Sequence, residues 1–207
     1  MKVLPFTEAH HLPAAVAAVR EVLASHGVVV VPTETFYGLA VNPHHPEAVA
    51  RVFAMKGREA SKALLVVAAN VEQAQELAVI PELWRKRLRS VWPAPLTVVF
   101  PARQPLPGSG RTVAVRVPAH DLLRSLLHDV GPLTATSANL SKKPPARRPE
   151  ELGLLAAEVD LLLDGGETPG GTPSTLVDAT VTPPRVLRSG CFPVPVSWLQ
   201  GPEQTAT

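Results

Sequence analysis

VVVVPTETFYGLA, residues 28–40, is the stretch on which the reading of this chain turns. Four consecutive valines are apolar and β-branched. A short run with no polar alternation reads as a strand buried on both faces. Pro32 then interrupts the ladder, because proline has no N–H to donate. Directly beyond it stand Thr33, Glu34, Thr35 and Tyr37. Hydroxyls and a carboxylate are costly to bury. Their place at the mouth of the most apolar strand suggests that the rigid strand aims them at something.

Outward from this strand, helical and extended patterns interleave. Residues 12–25, 46–55, 71–78, 81–92, 120–130 and 149–158 carry apolar residues at helical spacing. Residues 63–68, 96–100, 112–118, 132–137, 159–166, 174–180 and 185–190 read as strands. Some strands follow one another directly. The fold class expected is therefore α/β with a twisted, mixed sheet, in one domain spanning 1–207.

The composition agrees. Of 207 residues, 45% are apolar and 18% charged, which supplies a core and excludes a disordered chain. A net charge of +2 is too small by itself to argue for nucleic-acid binding. Cys191 is the sole cysteine, which excludes an internal disulfide and a multi-cysteine zinc site and fits a reducing compartment. The N-terminus lacks the apolar segment of a signal peptide. No apolar run reaches the roughly 20 residues needed to span a bilayer. A cytoplasmic location follows as the expectation.

Four apolar strands carry polar groups at or near their ends: Thr33–Tyr37, Arg116, Thr136–Asn139 and Ser174–Thr175. Ligands of α/β folds bind beside strand ends, although hydroxyl residues also form turns there. Lys56, Arg58 and Lys62 in KGREASK suit a polyphosphate or a carboxylate, or form a solvated surface loop. Neither GxxxxGK[ST] nor GxGxxG is present, so a nucleotide would be held by side chains from scattered segments. The adjacent pairs His10–His11 and His44–His45 do not share a face, and no metal site is read from them. Ser137 lacks a nucleophile elbow. KKPPARR at 142–148 suits RNA, a nucleotide tail or plain solvent, and GGETPGGTP at 165–173 reads as a lid or a long turn.

In order, PTETFYGLA, KGREASKALL, WPAPLT, VAVRVP, TATSANLS, GGTPSTLVD and VLRSG resemble the threonylcarbamoyl-AMP synthase family (the TsaC/YrdC type), over about residues 10–192. The resemblance implies a sheet curved around a deep, positively charged cavity. It implies an enzyme, a nucleotidyltransferase that joins L-threonine, bicarbonate and ATP, with Mg2+ accompanying the ATP, into threonylcarbamoyl-AMP and pyrophosphate. Other proteins then transfer the product to tRNA. Carried over, Lys56 and Arg58 are catalytic. ATP is met by Lys56, Arg58, Ser137, Asn139 and Arg188. Threonine is met by Thr33, Tyr37, Lys62, Arg116 and Ser174.

The chain departs from the family pattern at Glu34, usually aspartate, at Ala94 and Lys142, usually glycines, and at Glu59, usually proline. The alternatives are a non-catalytic RNA-binding paralogue and a carbamoyl-adenylate-forming enzyme. The retained Lys56, Arg58, Ser137 and Asn139 speak against the first, and the single cysteine against the second. RNA contact through 142–148 stays open.

Overall fold

In the computed structural model, which describes residues 1–57, 65–141 and 143–200, the valine run forms strand β2 (Val29–Val31), every residue of it buried. Val29 and Val31 pack into one apolar cluster, Val28 and Val30 into another. Successive side chains of a strand point to opposite faces, so a strand between two cores must be apolar at every position.

β2 lies in a five-stranded sheet. Beside it run β9 (Leu161–Asp164) and then β1 (Lys2–Pro5), all parallel. On its other side, β3 (Gly38–Ala40) and β8 (Thr136–Ser137) continue the sheet antiparallel. A second, six-stranded sheet has the order β11 (Arg185–Arg188), β10 (Thr175–Asp178), β5 (Leu96–Leu106), β6 (Gly110–Arg116), β4 (Leu65–Val67), β7 (Leu133–Thr134). It too mixes parallel and antiparallel pairs.

The α-helices among the described residues are α1 (Leu12–Ala24), α2 (Pro46–Lys56), α3 (Val71–Leu77), α4 (Glu82–Val91) and α5 (Asp121–Val130). α1 and α5 cover the cluster that holds Val29 and Val31. α2, α3 and α4 contribute to the other. Among the described residues no helix is long and apolar enough to cross a membrane.

Mixed α/β architecture is as expected, but it is divided between two sheets. The segment 133–137 passes from one to the other, with β7 in the second sheet and β8 in the first. Thr134 joins them. Its amide donates to Val41 O (2.9 Å), and its hydroxyl accepts from Val41 N (2.9 Å) and donates to Leu39 O (3.3 Å). β1 and β3 are absent from the pattern reading. β3 is only three residues, too short for a period to show, and β1 ends in proline. Residues 149–158 form 3-10 turns instead of an α-helix, broken at Gly153 (φ 53°, ψ −126°).

Thr134→Val keeps the side chain's shape but leaves the buried Val41 N–H unpaired. It should lower unfolding stability by about 1–3 kcal/mol, while Thr134→Ser, which keeps the hydroxyl, costs less. Urea unfolding of both variants checks this.

Candidate active site

The turn after β2 is built by Thr33. Its hydroxyl accepts from the amides of Thr35 (3.1 Å) and Phe36 (3.2 Å) and donates to Phe36 O (2.7 Å). That donation uses its only proton, so Thr35 Oγ1, 3.1 Å away, donates to it. Both threonines are buried. Such a turn satisfies its own polar groups and fixes the backbone of the residue it encloses, Glu34. The Thr33 hydroxyl, expected at a bound amino acid, is thus the staple of the turn.

Glu34 reaches the second sheet. Its Oε1 lies 3.3 Å from Arg116 Nη1, and the two side chains are 10% and 5% exposed. Neither Glu34 oxygen nor Arg116 Nε has a hydrogen-bond partner among the described residues. A buried ion pair requires supporting hydrogen bonds to offset its desolvation. Here part of that capacity is unspent.

Arg116 ends β6. One step beyond the Val98–Val115 pair it falls opposite Thr97. Thr97 registers with Leu176, and Leu176 with Arg188. Residues in register share a face, so Arg116 and Arg188 stand on one face of the sheet at the ends of that row, with β5 and β10 between them. Arg188 donates to Ser174 O (Nη2 2.9 Å, Nε 3.2 Å) and to Ser174 Oγ (3.2 Å). Ser174 Oγ also meets Thr97 Oγ1 at 2.9 Å. Partial desolvation holds the Arg188 guanidinium below its ordinary pKa, although the residue is exposed on an edge strand, and the charge on Arg116 adds to the effect. Gly190 allows this packing, because an added Cβ would collide with Pro173 O and Thr175 N.

Lys56 was expected on an exposed loop. It is instead the last residue of α2 and is 5% exposed. Gly57 follows in the left-handed region (φ 56°) and caps the helix. Lys56 Nζ donates to Ser137 O (2.5 Å), Asn139 O (2.9 Å) and Asn139 Oδ1 (3.1 Å). Ser137 Oγ donates to the same Oδ1 at 2.6 Å. The lysine of one motif and the serine and asparagine of another therefore form one cluster. Arg58, Lys62 and Lys142 lie outside the described residues.

The 165–171 turn is fastened on three sides. Tyr37 OH donates to Gly166 O (2.7 Å) and accepts from Gly165 N (3.1 Å). Gly170 N donates to Thr35 O (2.7 Å). Glu167 pairs with both Arg147 and Arg148, so two cations of the basic stretch are matched by one carboxylate. Tyr37 is fully buried; its hydroxyl is spent on this turn, and burial pushes its pKa up to about 12.

Among the described residues no group of three or more His, Cys, Asp or Glu is placed to hold a metal ion. Pattern reading passed over Thr97 and His120 and gave Glu34 and Thr35 no role. Thr97 was visible as a hydroxyl inside an apolar strand. His120 was not. It caps α5 by accepting from Leu123 N (3.2 Å), stacks on Phe6, and is pushed below its ordinary pKa by burial.

Residues 21–190 match the Sua5–YciO–YrdC family model, described as telomere recombination. The chain is 40% identical over 174 residues to a threonylcarbamoyl-AMP synthase of Pyrococcus abyssi, covering 81% of this chain and 51% of that one. It is 39% identical over 165 residues to a threonylcarbamoyl-AMP synthase of Pseudomonas aeruginosa, covering 76% and 88%. The crystal structure of P. abyssi Sua5 complexed with L-threonine superposes with a TM-score of 0.82 at 36% identity, over 92% of this chain and 58% of that one. The chain thus spans about half the length of the archaeal relative and most of the bacterial one.

Two outcomes follow from the site's anchors. Tyr37 is the chain's sole tyrosine, so tyrosinate absorbance reads it directly. It should stay protonated past pH 10 and ionise near pH 12. Because the folded pKa is the higher one, the stability it contributes is full below the unfolded value of 10.0 and is lost as pH rises through about 12. Tyr37→Phe should remove that slope. Lys56→Met strands the carbonyls of Ser137 and Asn139 and should cost about 1–3 kcal/mol in thermal unfolding. A loss within error would mean that the cluster contributes no stability.

Proposed function

The chain belongs to the Sua5–YciO–YrdC family, and from that premise we propose that it is an L-threonylcarbamoyladenylate synthase. It would combine L-threonine, bicarbonate and ATP into threonylcarbamoyl-AMP and pyrophosphate, for transfer to tRNA by downstream proteins in the cytoplasm. The observation that carries the proposal is the pair of guanidinium groups, Arg116 and Arg188, on one face of the second sheet beside Ser174 and Thr97.

The reaction brings a carbamate anion to the α-phosphate of ATP. Like charges approaching in a partly dry site repel, so fixed cations are the first catalytic requirement. Arg116 offers a planar fork to the amino acid's carboxylate. Arg188, held through Ser174, stands beside it for the nucleotide. The Lys56–Ser137–Asn139 cluster is the second cationic point, and Arg58 joins it on the sequence reading as a catalytic cation. Lys62 is read the same way, toward threonine. Ser174 and Thr33 are the hydroxyls assigned to the amino acid; Thr33 acts mainly by shaping the turn. Tyr37 supplies a wall and secures the 165–171 cover, which would keep water from a hydrolysable mixed anhydride. Magnesium would enter with ATP, as part of the substrate.

Release of pyrophosphate from ATP, with threonine and bicarbonate omitted in turn, tests the proposal. Release should require both, and release that ignores both omissions overturns it. In place of arginine's fork, Arg116→Lys offers a point charge, so kcat/KM for threonine should fall by roughly 10- to 100-fold, as for a charged hydrogen bond lost. Among amino acids we expect threonine, then serine, then valine. A pocket that merely accepts the extra methyl favours threonine over serine by about 10- to 200-fold, and one that bonds the hydroxyl rejects valine more strongly. Valine matching serine would show that the pocket reads shape alone.

A further inference from the structure

Glu34 is the one group of the site with no task in this chemistry, and its environment is unusual. The side chain is nine-tenths buried, yet among the described residues neither carboxylate oxygen has a hydrogen-bond donor. Its neighbour Arg116 faces it at 3.3 Å and keeps an unpartnered Nε. The Thr33 staple fixes the backbone on either side, so the carboxylate cannot retreat to solvent by loosening the turn. The other titratable group near it is His120, at the start of α5. Burial lowers its pKa and so favours the neutral ring, and its Nδ1 is already used as the cap of α5. Among the described residues, Arg116 is the cation placed to answer Glu34.

Two paired groups of opposite sign, fixed side by side and each with hydrogen-bonding capacity left over, match the two ends of a free α-amino acid. We propose that Glu34 accepts the α-ammonium group of the amino-acid substrate while Arg116 takes the carboxylate, so that the pair reads a zwitterion. The charge balance requires such a group. Arg116 and Arg188 both bear on this face, and without the carboxylate beside Arg116 an ammonium ion entering near two guanidinium groups would be repelled. A ligand with a carboxylate and no amine would satisfy Arg116 and leave Glu34 stranded. The pair therefore selects α-amino acids against α-hydroxy acids of the same shape. Polar sites that lose a required partner reject the ligand far more strongly than apolar sites that lose a methyl. The inference rests on the amino-acid-dependent reading above.

The test is calorimetric titration of the full chain with L-threonine and with the matching 2,3-dihydroxybutyrate, in which a hydroxyl replaces the amine. The unaltered chain should prefer threonine by at least about tenfold. Glu34→Gln should abolish that preference, weakening threonine by at least about tenfold and the hydroxy acid by no more than about threefold. Equal weakening of both ligands would reveal a merely structural role and overturn the assignment, as would an unchanged preference. Should Glu34→Gln fail to fold by circular dichroism, Glu34→Asp decides. Its withdrawn carboxylate should weaken threonine more than the hydroxy acid, and parallel losses overturn the proposal. Failure of the unaltered chain to bind threonine at all would overturn the threonine reading together with this one. Normal threonine binding with an unaffected Glu34→Gln overturns only this one.

Discussion

The contact between Glu34 and Arg116 sets the terms for the rest of the molecule. It joins the turn after β2, in the first sheet, to the end of β6, in the second. Taking two charges out of water costs several kcal/mol per ion, and that cost is recovered only with good geometry and further hydrogen bonds. Several of those bonds are missing within the described chain. A fold that keeps such a pair must therefore derive its stability elsewhere and hold the pair rigidly.

The rest of the structure supplies that rigidity. β2 is clamped between two apolar clusters, and Thr33 locks the turn that carries Glu34. β6 is flanked by β5 and β4, which fixes where Arg116 emerges. Thr134 ties one sheet to the other through both its backbone and its hydroxyl. Around this frame, Lys56 fastens the end of α2 to the Ser137–Asn139 segment, and Tyr37 fastens the glycine-rich turn. Thr134, Lys56 and Tyr37 are polar and buried, and each closes a connection between segments distant in sequence. The same residue types that resemble a ligand-binding set also hold the site's walls in register. Preorganisation of this kind lets fixed charges act on a substrate without the walls first rearranging.

This dual use explains a difference between sequence and structure. A lysine followed by glycine and arginine reads as a charged loop. Yet the apolar face of α2, with Ala48, Val49, Val52 and Met55 buried, brings the helix end inward and carries Lys56 with it. Its ammonium group is tolerated there because carbonyl and amide oxygens of 137–139 receive its protons. In the same way the basic stretch before residue 149 reads as suited to RNA, a nucleotide tail or plain solvent, while Arg147 and Arg148 share Glu167 from twenty residues further on. A linear reading counts charges; it cannot see which of them are paired.

The sequence by itself determined the α/β class, the doubly buried strand at 28–31 and the polar strand ends, because periodicity, proline and β-branching act over a few neighbouring residues. The seven ordered motifs also carried the family resemblance. The division into two sheets, the three-residue β3, the hub at Lys56, the row from Arg116 to Arg188 and the facing of Glu34 on Arg116 were decided only by the tertiary structure. Each depends on strand register and on contacts between residues tens of positions apart. In that setting the environment of a carboxylate is set by whatever the fold brings opposite it, and nothing in the neighbouring sequence encodes what that will be.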